Sequence, residues 1–200
     1  SAFYFICGRT NPNKDADYEI ENSVMRSLLR RIHKRGHEIG LHPSYNTFRD
    51  EAAIRSELDR LKCVCVEEGI EQVQWGGRMH YLRYNHPSTM HACCNAGLSY
   101  DATLGYADRI GFRCGTCFDY NGFDSVKNKM LSIRLRPLIM MESTVIESAY
   151  LGLGVGADAL NTALSLIISC KKVSGNFNLL WHNSSLVLNS YRSMYLKTLS

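Results

Sequence analysis

The apolar positions along the chain change period several times, and each change marks an expected element. "SAFYFICG" is an apolar run of strand length with aromatic and β-branched residues, closed by a glycine, and it reads as a buried strand. After the polar loop "RTNPNKDAD", Val24, Leu28, Leu29 and Ile32 recur at helical spacing until Gly36 ends the helix. "EIGL" is short and apolar again, so a strand is expected from Glu38 to Leu41, with His42 at its carboxyl end and Pro43 preventing regular continuation. Ile54, Leu58, Leu61 and Cys65 then share one face of a helix between Asp50 and Glu68. Further along, the pattern predicts a strand near "EQVQWGG", a helix over Ser88–Ala96, a strand-like "MLSIRLRP" after a glycine-rich middle, a helix over Ala157–Lys172 and a strand in "NFNLLWHNS".

Alternating strands and helices argue a mainly parallel sheet with helical crossovers, either open and doubly wound or closed into a barrel. In such folds sites form where the carboxyl ends of the strands open into loops. His42, Arg78, Asp101 and His182 are the polar residues at those ends. His37, at the start of its strand, is expected to be structural.

Composition narrows the function classes. The 200 residues are 45% hydrophobic, enough for one well-buried core, with no repeat and no low-complexity linker. The net charge of +4 comes from 23 basic and 19 acidic residues. It is too mild for a nucleic-acid footprint, and "RSLLRRIHKR" reads as the solvated face of a helix. No apolar run reaches the roughly 18 residues of a membrane-spanning helix. The eight cysteines lack the spacing of a secreted disulfide scaffold, which points to a reducing, cytoplasmic setting.

Four segments in order carry a family resemblance: "GHEIGLH" after "SAFYFICG", "GGRMHYLRYNHPST", "AGLSYDATLGYADRIGFRCGT" and "LLWHNS". Together they resemble the polysaccharide deacetylases of the NodB type, carbohydrate esterase family 4, in a bacterial branch found with surface-polysaccharide genes. The likeness runs from Ser1 to about Ser185. It implies a distorted (β/α) barrel and metal-dependent removal of an N- or O-acetyl group from a sugar. In that family a divalent metal, usually zinc, is held by an aspartate and two histidines, a second aspartate is the base, and a histidine protonates the leaving group. Carried over, His42 matches the first histidine ligand and His182 the general acid. Arg78 matches the arginine that orients the base, with Arg83 a competitor in the same loop. Tyr81 and Arg83 are expected to contact the sugar, Trp75 and Trp181 at strand ends either to stack on it or to pack in the core, and Asp101 to support the site through Arg78 or by anchoring a turn.

The chain departs from the family pattern in two ways. The family's second histidine ligand lies four residues after the first, where this chain has Asn46, a neutral and weaker zinc ligand. The family's aspartate pair lies on a strand preceding the one "SAFYFICG" resembles. The 200 residues are therefore expected to be a partial catalytic domain lacking its first β/α unit. Asp15 and Asp17 in "NKDADY" are nearby carboxylates, but a "DAD" loop after a turn signal reads as helix-capping and solvated.

Two rival functions follow. A catalytically inactive carbohydrate-binding or scaffold module would keep the fold, and Asn46 and the absent aspartate pair favour it. A thiol oxidoreductase would use Cys114 and Cys117 of "RCGTC", although a lone pair in a glycine-rich loop, away from a helix start, reads better as ordinary loop cysteines. "LGLGVGAD" lacks the Walker lysine and reads as a strand-to-helix connection.

Overall fold

A computed structural model describes all of Ser1–Ser200 and shows an α/β protein. It divides into two compact units, one of Ser1–Thr103 with Tyr120–Leu135 and one of Leu104–Asp119 with Arg136–Ser200.

The first unit is built on a six-stranded mixed sheet. Its strands are β1 (Ala2–Phe5), β2 (Glu38–Leu41), β3 (Gly76–Gly77), β4 (Tyr100–Asp101), β5 (Tyr120–Asp124) and β6 (Lys129–Leu135), in the order β1-β2-β3-β4-β6-β5. β1 through β4 and β6 pair in parallel, and β5 forms an antiparallel hairpin with β6, which follows it. Helices α1 (Ser23–Lys34), α2 (Glu51–Glu67) and α3 (Ser88–Ala96) connect successive parallel strands. The periodicity reading and the helix boundaries coincide because caps fix them. Asn22 accepts the amide of Val24 ahead of α1, Asp50 accepts that of Ala53 ahead of α2, and Gly97 closes α3 in a left-handed conformation at φ 95°. Leu29 and Ile32 of α1 and Ile54, Leu58, Leu61 and Cys65 of α2 are buried.

β1 departs from the expected buried strand. It stands at the edge of the sheet, and Phe3 is 41% exposed. β3 consists of two glycines, and the first permits a close approach: a Cβ on Gly76 would lie 1.8 Å from the ring of Tyr100.

The second unit holds β7 (Met140–Met141), α4 (Glu142–Ile146), α5 (Ala157–Lys172), β8 (Leu179–Leu180) and α6 (Asn189–Leu199). β7 and β8 pair in parallel. Met140, Val145, Ile146, Ala159, Ala163 and Met194 pack into its core. No helix of either unit is long and apolar enough to cross a membrane.

Candidate functional site

The parallel ladder of the first unit continues one residue past each strand and sets functional side chains in a row. His42 N–H donates to the carbonyl of Phe5 at 2.7 Å, Arg78 N–H to that of Leu41 at 3.0 Å, and Ala102 N–H to that of Gly77 at 2.8 Å. His42, Arg78 and Asp101 therefore lie along the carboxyl edge of neighbouring strands. Pro43 and the buried Ser44 then turn the chain away, and Glu57 of α2 holds that turn by accepting both the amide and the hydroxyl of Ser44. Burial raises the Glu57 pKa, against the hydrogen bonds from Ser44 that lower it.

Two imidazoles meet at this edge. The His42 and His80 rings lie 4.8 Å apart, centroid to centroid, tilted by 59°. His42 Nδ1 is 2.5 Å from the carbonyl oxygen of Arg78, and His80 Nδ1 is 2.8 Å from Asp15 Oδ1. His80 arrives on a short 3-10 turn whose next two residues, Tyr81 (φ 57°) and Leu82 (φ 51°), are both left-handed. Non-glycine residues pay roughly 1–3 kcal/mol each for such backbone, a strain that clusters at sites whose geometry is fixed from outside.

Asp15 is not solvated, contrary to the expectation from its "DAD" loop. Its side chain is fully buried, and its two oxygens accept four donors: the amides of Asn11 and Tyr45 at 2.8 Å each, the hydroxyl of Thr10 at 3.4 Å, and His80. Burial pushes its pKa up, and the hydrogen bonds from Asn11, His80 and Tyr45 outweigh it, so the net shift is downward. Asp17 is exposed on the same loop.

The other expected residues are distributed as follows. Asn46 donates through Nδ2 to the carbonyl of Thr10 at 3.0 Å, and its Oδ1 accepts from Arg83 at 3.2 Å, so its amide ties two loops together. The Arg83 guanidinium lies between the rings of Tyr45 and Phe48, 4.1 and 4.0 Å from their centroids. Tyr81 is 56% exposed and packs edge-on against Tyr45 and His80, with Lys14 over its face. Arg78 is buried, donates from Nε to the carbonyl of Ala102 and stacks over Tyr4. Asp101 is buried as well. Its Oδ1 accepts the amide and hydroxyl of Thr103, its Oδ2 has no hydrogen-bond partner, and burial pushes its pKa up to about 6 despite Thr103 and Arg78. Trp75 is not brought to His42. It precedes β3, at the amino edge of the sheet, with Lys62 above its ring.

In the second unit, His182 directly follows Trp181 after β8, and sequence reasoning missed its partner. Glu142, at the start of α4, is fully buried, and its Oε1 accepts His182 Nδ1 at 2.6 Å, the His182 amide at 2.8 Å and the Ser185 hydroxyl at 3.1 Å. The apolar run "PLIMM" ending in a carboxylate was the available signal, the same pattern that singled out His42. His80 was overlooked for a different reason: no periodicity marks a turn built on left-handed backbone. Trp181 packs edge-on against Tyr195, 5.2 Å between centroids.

All eight cysteines are unbonded. Cys114 points its thiol at the carbonyl of Leu104, whereas Cys117 and Cys170 are buried together against Ile139. No group of three or more His, Cys, Asp or Glu side chains converges as a metal-binding set. A scan against protein-family models finds no match, and searches of curated proteins and of solved structures find none either.

Proposed function

We propose that the protein catalyses metal-dependent hydrolytic deacetylation of an N- or O-acetylated sugar or polysaccharide. The observation that carries this reading is the pair of imidazoles at the carboxyl edge of β2 and β3, each pinned through Nδ1. A divalent metal, zinc in the family the sequence resembles, would supply Lewis acidity toward the acetyl carbonyl and a water. The expected His42–Asn46 ligand pair fits poorly, because the Asn46 amide is committed to Thr10 and to a cationic guanidinium. His42 fits with its ring fixed.

The remaining roles belong to the chain itself. His182 would hold the proton for the leaving group at Nε2, since Nδ1 is committed to Glu142. Glu142 fixes that tautomer by accepting from Nδ1. Tyr81, half-exposed beside His80, offers a face for a sugar ring, and Arg83 braces the loop that carries it. The parallel order of β1 to β4, with a helix after each of the first three, is the repeating unit that the distorted (β/α) barrel of this reading shares with open α/β sheets. The eight unbonded thiols support a reducing, cytoplasmic setting.

The test is acetate release from a panel of N- and O-acetylated oligosaccharides, with zinc added and with chelator. Release that requires metal and falls on His182→Ala supports the proposal. Absence of release at every metal concentration, with binding of the same oligosaccharides retained, favours the carbohydrate-binding module instead.

A further inference from the structure

We infer that His42 and His80 together form the imidazole pair of a divalent-metal site, each binding through Nε2, with Asp15 fixing His80 from behind and Asn46 outside the ligand set. The inference deepens the reading above at the same site, yet it rests on hydrogen-bond chemistry that holds whether or not the protein deacetylates anything.

A carbonyl oxygen can only accept, so the contact between His42 Nδ1 and the carbonyl of Arg78 puts the proton on Nδ1. The same holds for His80. Asp15 Oδ1 accepts the amide of Tyr45, which marks it as an acceptor, and His80 Nδ1 donates to it. In a neutral imidazole whose Nδ1 carries the proton, the lone pair sits on Nε2, and this anchoring by a carbonyl or carboxylate is how proteins orient metal-binding histidines. One such histidine is commonly just a satisfied polar residue. Here two occur with rings 4.8 Å apart, one directly after β2 and the other in the turn after β3, just ahead of two consecutive left-handed residues.

Asp15 is arranged as a second-layer partner. Both of its oxygens are occupied by main-chain amides, a hydroxyl and His80, and its side chain is fully buried. Asn46 fails as a donor on charge, since a cation at its Oδ1 would face the Arg83 guanidinium 3.2 Å away. Two nitrogen donors select a borderline first-row ion such as zinc or cobalt over magnesium or calcium. With no third His, Cys, Asp or Glu converging, the other positions fall to water or substrate oxygen, so the ion must be supplied in excess to fill the site.

The experiment is a titration of the purified full chain with zinc chloride, followed through the side-chain nitrogens of its histidines by long-range ¹H–¹⁵N correlation. The expected result is that Nε2 of His42 and of His80 move together along one saturating curve, reached only with zinc in excess, while both Nδ1 protons persist. His80→Ala should weaken zinc binding at least about tenfold, Asp15→Asn by roughly 10–100-fold as for other outer-layer carboxylates, and Asn46→Ala by no more than about twofold. The inference is overturned if zinc moves neither ring or only one, or if Asn46→Ala is the variant that loses affinity. The ring titration needs no variant, so a His80→Ala protein that misfolds does not rescue the idea. Zinc bound at both rings without acetate release would sink the deacetylase reading alone. Acetate release with both rings unmoved would sink this site alone.

Discussion

Asp15→Ala removes the acceptor on which three loops converge. In the native protein the carboxylate satisfies the amides of Asn11 and Tyr45 and the Nδ1 of His80, with Thr10 at a longer distance. A methyl group leaves both amides without that partner, each costing about 1–3 kcal/mol when buried, so the expected loss is roughly 2–6 kcal/mol. With a urea slope of about 2 kcal/mol per molar, that is a midpoint lowered by about 1–3 M for the unit that holds Asp15. pH gives a second signature. The folded-state pKa of Asp15 lies below its ordinary value, so its contribution is complete above the unfolded pKa of about 4 and is lost as pH falls through the folded value. The gap between wild type and variant is therefore full at neutral pH and narrows in acid. The assay is urea unfolding of both proteins from neutral to acidic pH, read by tryptophan fluorescence and circular dichroism. An unchanged midpoint at neutral pH, or a gap that widens in acid, would mean that Asp15 does not hold these loops together.

Three other expectations are as specific. His182→Ala should lower acetate release by roughly 10²–10⁴ while leaving zinc binding at the His42 ring intact, and an unchanged rate would remove His182 from the mechanism. Mild oxidation with diamide, which takes two electrons and two protons from a pair of thiols, should join Cys117 to Cys170. Their side chains touch, and burial has pushed the Cys170 thiol up to about 11, so the reaction should be slow and quicken as pH rises. Peptide mapping that finds Cys114 joined to Cys117 would revive the oxidoreductase reading. Gly76→Ala should destabilise by about 1–3 kcal/mol or more, because the methyl must displace the buried ring of Tyr100, and a neutral result in thermal unfolding would contradict the packing.

The backbone elements were largely legible because caps and periodicity agreed. β2 runs from Glu38 to Leu41, α3 from Ser88 to Ala96 and α5 from Ala157 to Lys172, each where the apolar pattern and its stop signals put it. The strand ends carrying His42, Arg78 and Asp101 followed from β2 to β4 and from the proline after His42. What stayed hidden depends on partners distant in sequence. Asp15 looks like a solvated turn residue until Tyr45 and His80 close over it, and Glu142 looks like an ordinary helix start until His182 returns to it 40 residues later. Asn46 drew attention because of its spacing from His42, but spacing alone does not say where an amide points. β1 read as buried from its aromatic run, yet nothing in a run of apolar residues distinguishes a central strand from an edge one.

On the proposed function, a metal held at the carboxyl edge of β2 and β3 would drive hydrolysis of a sugar acetyl group. The most direct measurement is the initial rate of acetate release from an acetylated oligosaccharide as a function of free zinc, for wild type and for His42→Ala at matched folding. The expected rate rises with zinc and saturates in step with the His42 ring titration in the wild type, and stays flat in His42→Ala. Equal rates in the two proteins, or release unaffected by exhaustive chelation, would contradict it.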